Sequence, residues 1–590
     1  METTTGNRTK ILIVLNLVLV AGLMYLLSMF LAYPIFQHTR LADPLAEIHA
    51  LSPLYYIAIA LTALLGIGSL IWRVGSRSLH VLLLTMFAVM LWLTPYLLSG
   101  FTRMPDAPWH VGIAMQIPQV LAGDPIAFSS YALTYPGSYV YHYSFVNIAG
   151  LQPMTYIEFF PLFCLFLFVL LSYILLSRLF STRVAFLAML LAIPGLHYIQ
   201  IHASPHTIGA LLMLTTLLLL TKPGLGAKIM AMMAIFAIAI SHPTTPLLLS
   251  IFLAGALFTT VIYSRRIGRP QMVLAGILAI CLVCWLAQYS YSGQPQATSQ
   301  GVTSTPTQTT PTQTKTPAPS LFSRIIYKIF PADLNTSQEY ISGTPFIYGD
   351  IYNLNKGIYY LYAASGISAI LYVMVKTYTR KRGIRGWLFR LGGIKQNEAM
   401  LACSIPLLFL LTLLLAEGAH DLIETGLTYI ILAISGIVAS VILRPQGINS
   451  KFRRSFIAAG ILFLTLSFPV VAYSIDAYSS FPKSEAAGLE FLAKDTSLEG
   501  KTVAGSSLAQ LGLYSPTFTN KTLFVTLEFN NTEANIVVFR NTYYYYRAMR
   551  FDLSFTDNRY TESLAAVESA KYNKIYYSPT FAIYLNGGTA

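Results

Sequence analysis

Thirteen apolar stretches recur along this chain, at 11–36, 53–72, 79–101, 156–176, 184–197, 208–221, 229–241, 247–262, 272–289, 357–375, 400–417, 427–443 and 456–473. A helical crossing of a bilayer takes roughly 20 apolar residues, and no water in the core can rescue a broken backbone hydrogen bond. A chain built this way is therefore expected to fold as an all-α polytopic membrane bundle. The shorter stretches, such as 184–197, predict tilted or irregular crossings. Composition agrees: 55% of residues are hydrophobic and only 11% charged, with a mean hydropathy of +0.59, outside the range of a soluble globular protein.

The loops orient the bundle. Alternate connections carry Arg8/Lys10, Arg73/Arg77, Arg178/Arg183, Lys222/Lys228, Arg265/Arg266/Arg269, seven basic residues between Lys376 and Lys395, and Arg444/Lys451/Arg453/Arg454. The intervening short loops carry almost none apart from Arg40 and Arg103. Lysine and arginine resist translocation, so the pattern predicts a multi-pass plasma-membrane protein with its N-terminus inside and its C-terminus outside. The net charge of +14 then follows from the positive-inside pattern and needs no nucleic acid. In this orientation nine of the ten histidines and 22 of the 24 acidic residues fall on the outer side, which places the chemistry there. The first stretch is too long for a signal peptide and lacks a small-residue cleavage site, so it reads as retained. Cys164, Cys281, Cys284 and Cys403 all lie in apolar stretches and form no disulfide framework.

Two regions follow from this reading: a membrane region, 1–475, and an extracytoplasmic region, 476–590. The membrane region has long outer loops at 102–155 and 290–356, and the second contains a Thr/Gln/Pro stretch at 294–320 that cannot bury a core. The terminal region alternates helical spacing at 484–494 and 561–570 with strand-like runs at 523–527, 536–539, 574–577 and 581–585. It is expected to form a small α/β domain. Asn335, Asn520 and Asn530 open sequons on the predicted outer side, a pattern short enough to arise by chance.

The most informative local sequence is Met104-Pro105-Asp106-Ala107-Pro108-Trp109-His110. Asp106 and His110 are four apart and would share a helix face. Trp109 suits the headgroup level, and 111–121 is expected to lie along the membrane surface. Asp106 could accept a proton from a nucleophile, ligate a divalent cation such as Mg or Mn, or only cap the helix. Further outer polar residues could complete a substrate site: Arg103, Asp124, His142 and Glu158 in or beside the first long loop, and His202, His206 and His242 at the ends of later stretches. Arg324 and Lys328 either meet an anionic phosphate or snorkel beside an interfacial helix. His197, His202 and His206 invite a zinc reading, but their spacing lacks the accompanying ligands. The run Asn541-Thr-Tyr-Tyr-Tyr-Tyr-Arg547 suits a glycan platform or a strand packed on a core.

The Asp106-x-x-x-His110 element in the first long outer loop, the many-span bundle with its N-terminus inside and the outer C-terminal region together resemble the GT-C superfamily of membrane glycosyltransferases. Asp106–His110 is similar to the first acidic motif of oligosaccharyltransferases, and 573–576 with 581–584 looks like the terminal hairpin of prokaryotic members. The resemblance implies a polyprenyl-phosphate sugar donor entering from the membrane lipid, a glycan, lipid or protein acceptor, and Asp106 as the catalytic or metal-binding aspartate. The chain departs from oligosaccharyltransferases in having no Trp after Trp387, hence no Trp-Trp-Asp signature, and no carboxylate in the 197–206 region. Its long loop also follows the third span instead of the first. Transfer of one sugar on the outer face therefore fits better than oligosaccharide transfer to Asn. A lipid-linked glycan flippase or a non-catalytic envelope protein are the alternatives. Coupled transporters place charges within spans, and this chain places practically none there.

Overall fold

The computed structural model describes residues 2–39, 46–72, 76–99, 106–118, 132, 134–196, 201–264, 269–292, 357–358, 360–369, 371, 420–443, 450–473, 483–494, 503–505, 536–540, 572–578 and 581–586. The bundle begins with α1 (Glu2–Thr39), a short α2 (Ala46–Ala50) and α3 (Pro53–Ile71). α4 (Arg77–Ala88) runs through a π turn (Val89–Leu93) into α5 (Thr94–Ser99). Next come α6 (Asp106–Met115), α7 (Pro136–Ala149), α8 (Pro153–Leu179), α9 (Thr182–Ala192), α10 (Pro205–Leu220), α11 (Leu225–Ser241), α12 (Thr245–Ser264) and α13 (Arg269–Ser292). α14 (His420–Ile442) and α15 (Ser450–Tyr473) complete the bundle.

Four described helical segments, Arg8–Phe36, Pro53–Ile71, Arg77–Leu98 and Pro153–Leu179, are long and apolar enough to cross a membrane. Shorter apolar helices follow, Thr182–Gly195 and Pro205–Leu220 among them. The stretch 400–417 lies outside the described residues. Proline opens α3, α7, α8 and α10, where its missing N–H costs nothing. Serine hydroxyls cap α4, α9 and α10: Ser76, Ser181 and Ser204 accept from Leu79, Val184 and Thr207 N–H. Gly150 (φ +62°) closes α7 in the left-handed region that glycine enters without penalty.

Side chains sort as expected for a bundle in lipid. Phe30, Phe159, Met233 and Phe236 point outward, while Tyr55, Phe87, Phe186 and Leu190 fill a main core. α1 and α15 both pack on α3, and α9 packs on α14, so the first and last described helices of the bundle share one core. The π turn has a local cause. Pro95 stands four residues after Leu91 and has no N–H for its carbonyl, so the helical ladder must widen there. Hydroxyls fill the gap: from distant helices Tyr473 donates to Leu91 O (2.6 Å) and Tyr55 to Met90 O (2.9 Å), and Thr94, one turn along, also donates to Met90 O (2.7 Å).

A second, separate core lies beyond the main one. It gathers Ala107, Val111 and Ala114 of α6, Tyr139 and Val146 of α7, Tyr156, Ile157 and Phe160 of α8, and Ile208 of α10. Of the stretch 111–121 expected along the membrane surface, 119–121 lie outside the described residues. Val111, Ile113, Ala114, Gln116 and Ile117 are all buried, because α6 is apolar on opposite faces and both are covered.

In the C-terminal part, α16 (Lys483–Lys494) accompanies β1 (Val503–Gly505), β2 (Ile536–Arg540), β3 (Tyr572–Ser578) and β4 (Phe581–Asn586). The strands form one sheet in the order β1-β2-β4-β3, with β1 parallel to β2 and the other neighbours antiparallel. Leu489 and Leu492, one helical turn apart, are buried, as is Ile583 of β4, and α16 packs against β3 and β4. The runs 523–527 and 561–570 and the tyrosine run 541–547 lie outside the described residues.

Candidate functional site

The second core is built around histidine. His110 projects from α6 and His142 from α7. His202 precedes α10, His206 sits in its first turn, and His242 ends α11. Proline sets two of these positions. Pro205 opens α10 just after His202, and Pro243 follows His242, so the chain turns sharply beside each.

The imidazoles are held by hydroxyls. His110 Nδ1 lies 3.0 Å from Tyr139 Oη, and His142 Nδ1 lies 2.6 Å from Tyr156 Oη. His242 Nδ1 meets Thr245 Oγ1 at 2.8 Å and Thr244 Oγ1 at 3.2 Å. The His206 ring stands edge-on to His242 at 5.5 Å, and His142 packs edge-on to Phe160 at 5.3 Å. Gly209 makes the junction possible: a Cβ there would sit 2.7 Å from Thr245 Oγ1 and 3.1 Å from His242 Cβ.

Burial sets the protonation state. It holds His110 well below the usual histidine range, and His202, His142 and His242 add smaller repulsions in the same direction. It lowers His142 to about 3, against a small opposing pull from the Ser204 backbone. It depresses His242 likewise, reinforced by His206. These imidazoles are therefore neutral near pH 7, each with one donor and one acceptor nitrogen. A cavity of about 10 Å³, lined by His206, Thr207, Cys164 and Thr428, lies alongside. It is the size of roughly one water. Gln116 Oε1 and Ser138 Oγ are buried and have no hydrogen-bond partner among the described residues. Ser138 lies one turn before His142 on α7. Buried polar atoms of this kind are uncommon and mark places where another polar group is expected.

Of the residues singled out from sequence, His110, His142, His202, His206 and His242 are brought into one layer. Asp106 is the first residue of α6, one turn before His110, and its side chain lies outside the described part. Glu158 is not brought in: it is exposed on α8, whose neighbouring residues Tyr156 and Phe160 are buried against the histidines. Arg103, Asp124, His197, Arg324 and Lys328 lie outside the described residues. Sequence reasoning missed Tyr139 and Tyr156, the hydroxyl partners. The available signal was the Tyr139-x-x-His142 spacing, which puts both residues on one face of α7. No group of three or more His, Cys, Asp or Glu among the described residues is placed to hold a metal ion.

No family model matches the chain, and no curated protein sequence matches it. Solved structures do resemble it. The Archaeoglobus fulgidus oligosaccharyltransferase in complex with Zn and sulfate is 13% identical at a TM-score of 0.43, over 86% of this chain and 73% of that one. The same oligosaccharyltransferase tethered to an acceptor peptide containing the NVT sequon is 13% identical at 0.45, over 86% and 74%. ArnT from Cupriavidus metallidurans bound to undecaprenyl phosphate is 11% identical at 0.44, over 87% and 98%. Likeness at this level assigns no residue a role.

Proposed function

We propose that this chain is an integral membrane glycosyltransferase that moves a sugar from a polyprenyl-phosphate donor to an acceptor on the outer face of the membrane. The proposal takes thirteen crossings, an inside N-terminus and a C-terminal α/β domain outside the membrane from about 476 onward. The observation that carries it is the position of Asp106. It opens α6, and one turn along the same helix His110 joins a buried group of four further imidazoles, His142, His202, His206 and His242, drawn from three further chain segments. In this reading Asp106 takes the proton of the acceptor hydroxyl, whose oxygen attacks the anomeric carbon as lipid phosphate leaves. Neutral N–H groups of the histidine layer and the unspent polar atoms of Gln116 and Ser138 orient substrate oxygens. The scarce outer cations Arg103, Arg324 and Lys328 are assigned to the donor phosphate.

A Mg or Mn ion at Asp106 is disfavoured by the donors that are described. These are imidazoles and hydroxyls, whereas such ions are held by carboxylates and other oxygens. No step is therefore routed through a metal.

One observation favours a structural alternative. The histidine–tyrosine and histidine–threonine bonds are satisfied within the layer itself, as a packing device would require. Sugar transfer in proteoliposomes, with a panel of radiolabelled polyprenyl-phosphate sugars and Asp106→Asn in parallel, separates the two. The expected result is transfer by the wild type and a loss of at least about 100-fold in a normally folded variant. Equal transfer by both proteins would refute Asp106 as the base.

A further inference from the structure

At the opposite end of the bundle, an apolar cavity of about 210 Å³ opens between α8, α10, α12, α13 and α14. It exceeds the roughly 150 Å³ that suffices for benzene in an engineered protein cavity, so it has room for a run of hydrocarbon chain. Its deep wall is Leu176, Leu214, Phe252 and Tyr429, all buried, and its mouth is Leu220 and the exposed Thr221.

The mouth is cationic. Lys222 follows Thr221 and is exposed, and Arg178, exposed in the last turn of α8, precedes the lining residue Leu179. Lys228, from the start of α11, reaches back to the backbone at the cavity edge. Its Nζ donates to Leu220 O at 2.6 Å and to Lys222 O at 3.1 Å. An ammonium has three donors, so the third remains for an anionic oxygen. These cations belong to loops on the predicted inner face, which meets a leaflet rich in anionic headgroups.

We propose that this cavity binds an anionic phospholipid of the inner leaflet, with one acyl chain between α8, α10, α12 and α14 and the phosphate against Lys222, Lys228 and Arg178. The site is separate from the histidine layer and does not depend on the glycosyltransferase reading. An apolar chain matches the wall, and a phosphate matches the three cations Lys222, Lys228 and Arg178 at the mouth. A zwitterionic lipid would fill the cavity as well but would gain less at the mouth.

The test is native mass spectrometry of the full chain released from detergent after incubation with equal amounts of phosphatidylglycerol and phosphatidylcholine of identical acyl chains. The expected result is preferential retention of phosphatidylglycerol, falling about five-fold for each of Lys222→Gln and Arg178→Gln. Ala256→Phe, which narrows the cavity, should abolish retention of either lipid while size-exclusion behaviour stays normal. Should that variant misfold, the two surface variants still decide the matter. Equal retention of the two lipids, or a preference untouched by both surface substitutions, would overturn the proposal. So would displacement of phosphatidylglycerol by equimolar polyprenyl phosphate, which would make the occupant an isoprenoid.

Discussion

Removing the Tyr473 hydroxyl by substitution with Phe should destabilise the bundle more than the same change at Tyr55, although the two hydroxyls touch. Tyr473 Oη lies 2.6 Å from Leu91 O and 2.7 Å from Tyr55 Oη, and Tyr55 Oη also reaches Met90 O at 2.9 Å. Two hydroxyl protons cannot fill three bonds, so one acceptor must be served elsewhere. Met90 O has such a server in Thr94 Oγ1 at 2.7 Å, itself 2.9 Å from Tyr25 Oη. Two chains then satisfy every group: Tyr25 to Thr94 to Met90 O, and Tyr55 to Tyr473 to Leu91 O. Leu91 O cannot receive the usual helical bond from Pro95, so Tyr473 is the donor that matters. A buried carbonyl stripped of its donor costs roughly 1–3 kcal/mol, and hydrogen bonds measured between membrane helices reach about 1.7. Tyr473→Phe is therefore expected to cost about 1–2 kcal/mol. Tyr55→Phe should cost about 0.5 kcal/mol or less, and the double variant little more than Tyr473→Phe alone. Ring packing is not disturbed by either change, since Phe468 stands edge-on to Tyr473 at 5.9 Å through carbon atoms that both variants keep. Unfolding of the purified variants in mixed detergent micelles measures all three. Equal losses at Tyr55 and Tyr473, or full additivity in the double variant, would refute the assignment of protons.

The histidine layer predicts an acid-sensitive fold. His142 titrates near 6.5 when unfolded and about 3 when folded, so below pH 6.5 the unfolded state binds a proton that the folded state refuses. Stability from this group is complete above pH 6.5 and falls by about 1.4 kcal/mol per unit down to about pH 3. His142→Gln should flatten the decline of the unfolding midpoint between pH 7 and 5, and an unchanged slope would show that other groups dominate. Gly209→Ala should cost roughly 1–3 kcal/mol and displace the His242 turn. Gly226→Ala, whose added methyl meets nothing within 4 Å, should be neutral or stabilising by thermal melt. In the transfer assay Glu158→Gln should leave activity within about two-fold, because Glu158 is exposed outside the histidine layer, and a large loss would return it to the site.

Much of the bundle could be read before any coordinates. Helical periods need only local bonding, and lipid demands apolar surface, so α1, α3, α8 and α10 cover the apolar stretches at 11–36, 53–72, 156–176 and 208–221. The π turn was less legible. Pro95 announces a defect in the ladder, but nothing near it says that Tyr473, hundreds of residues later, would repair it.

The site divides the same way. Its five histidines stand out in sequence because titratable residues at the ends of apolar stretches are scarce in a chain with so little charge. Their partners Tyr139 and Tyr156 hide among 38 tyrosines, and only the packing of α6, α7 and α8 selects them. Local sequence could not reveal that a second layer covers both faces of α6. Chain order and hydropathy thus set which segments form helices in lipid and on which side their charges are expected. Whether an imidazole four or a hundred residues from another becomes its neighbour, and whether burial keeps it neutral, depended on helix packing, since both are long-range consequences of which surfaces exclude water.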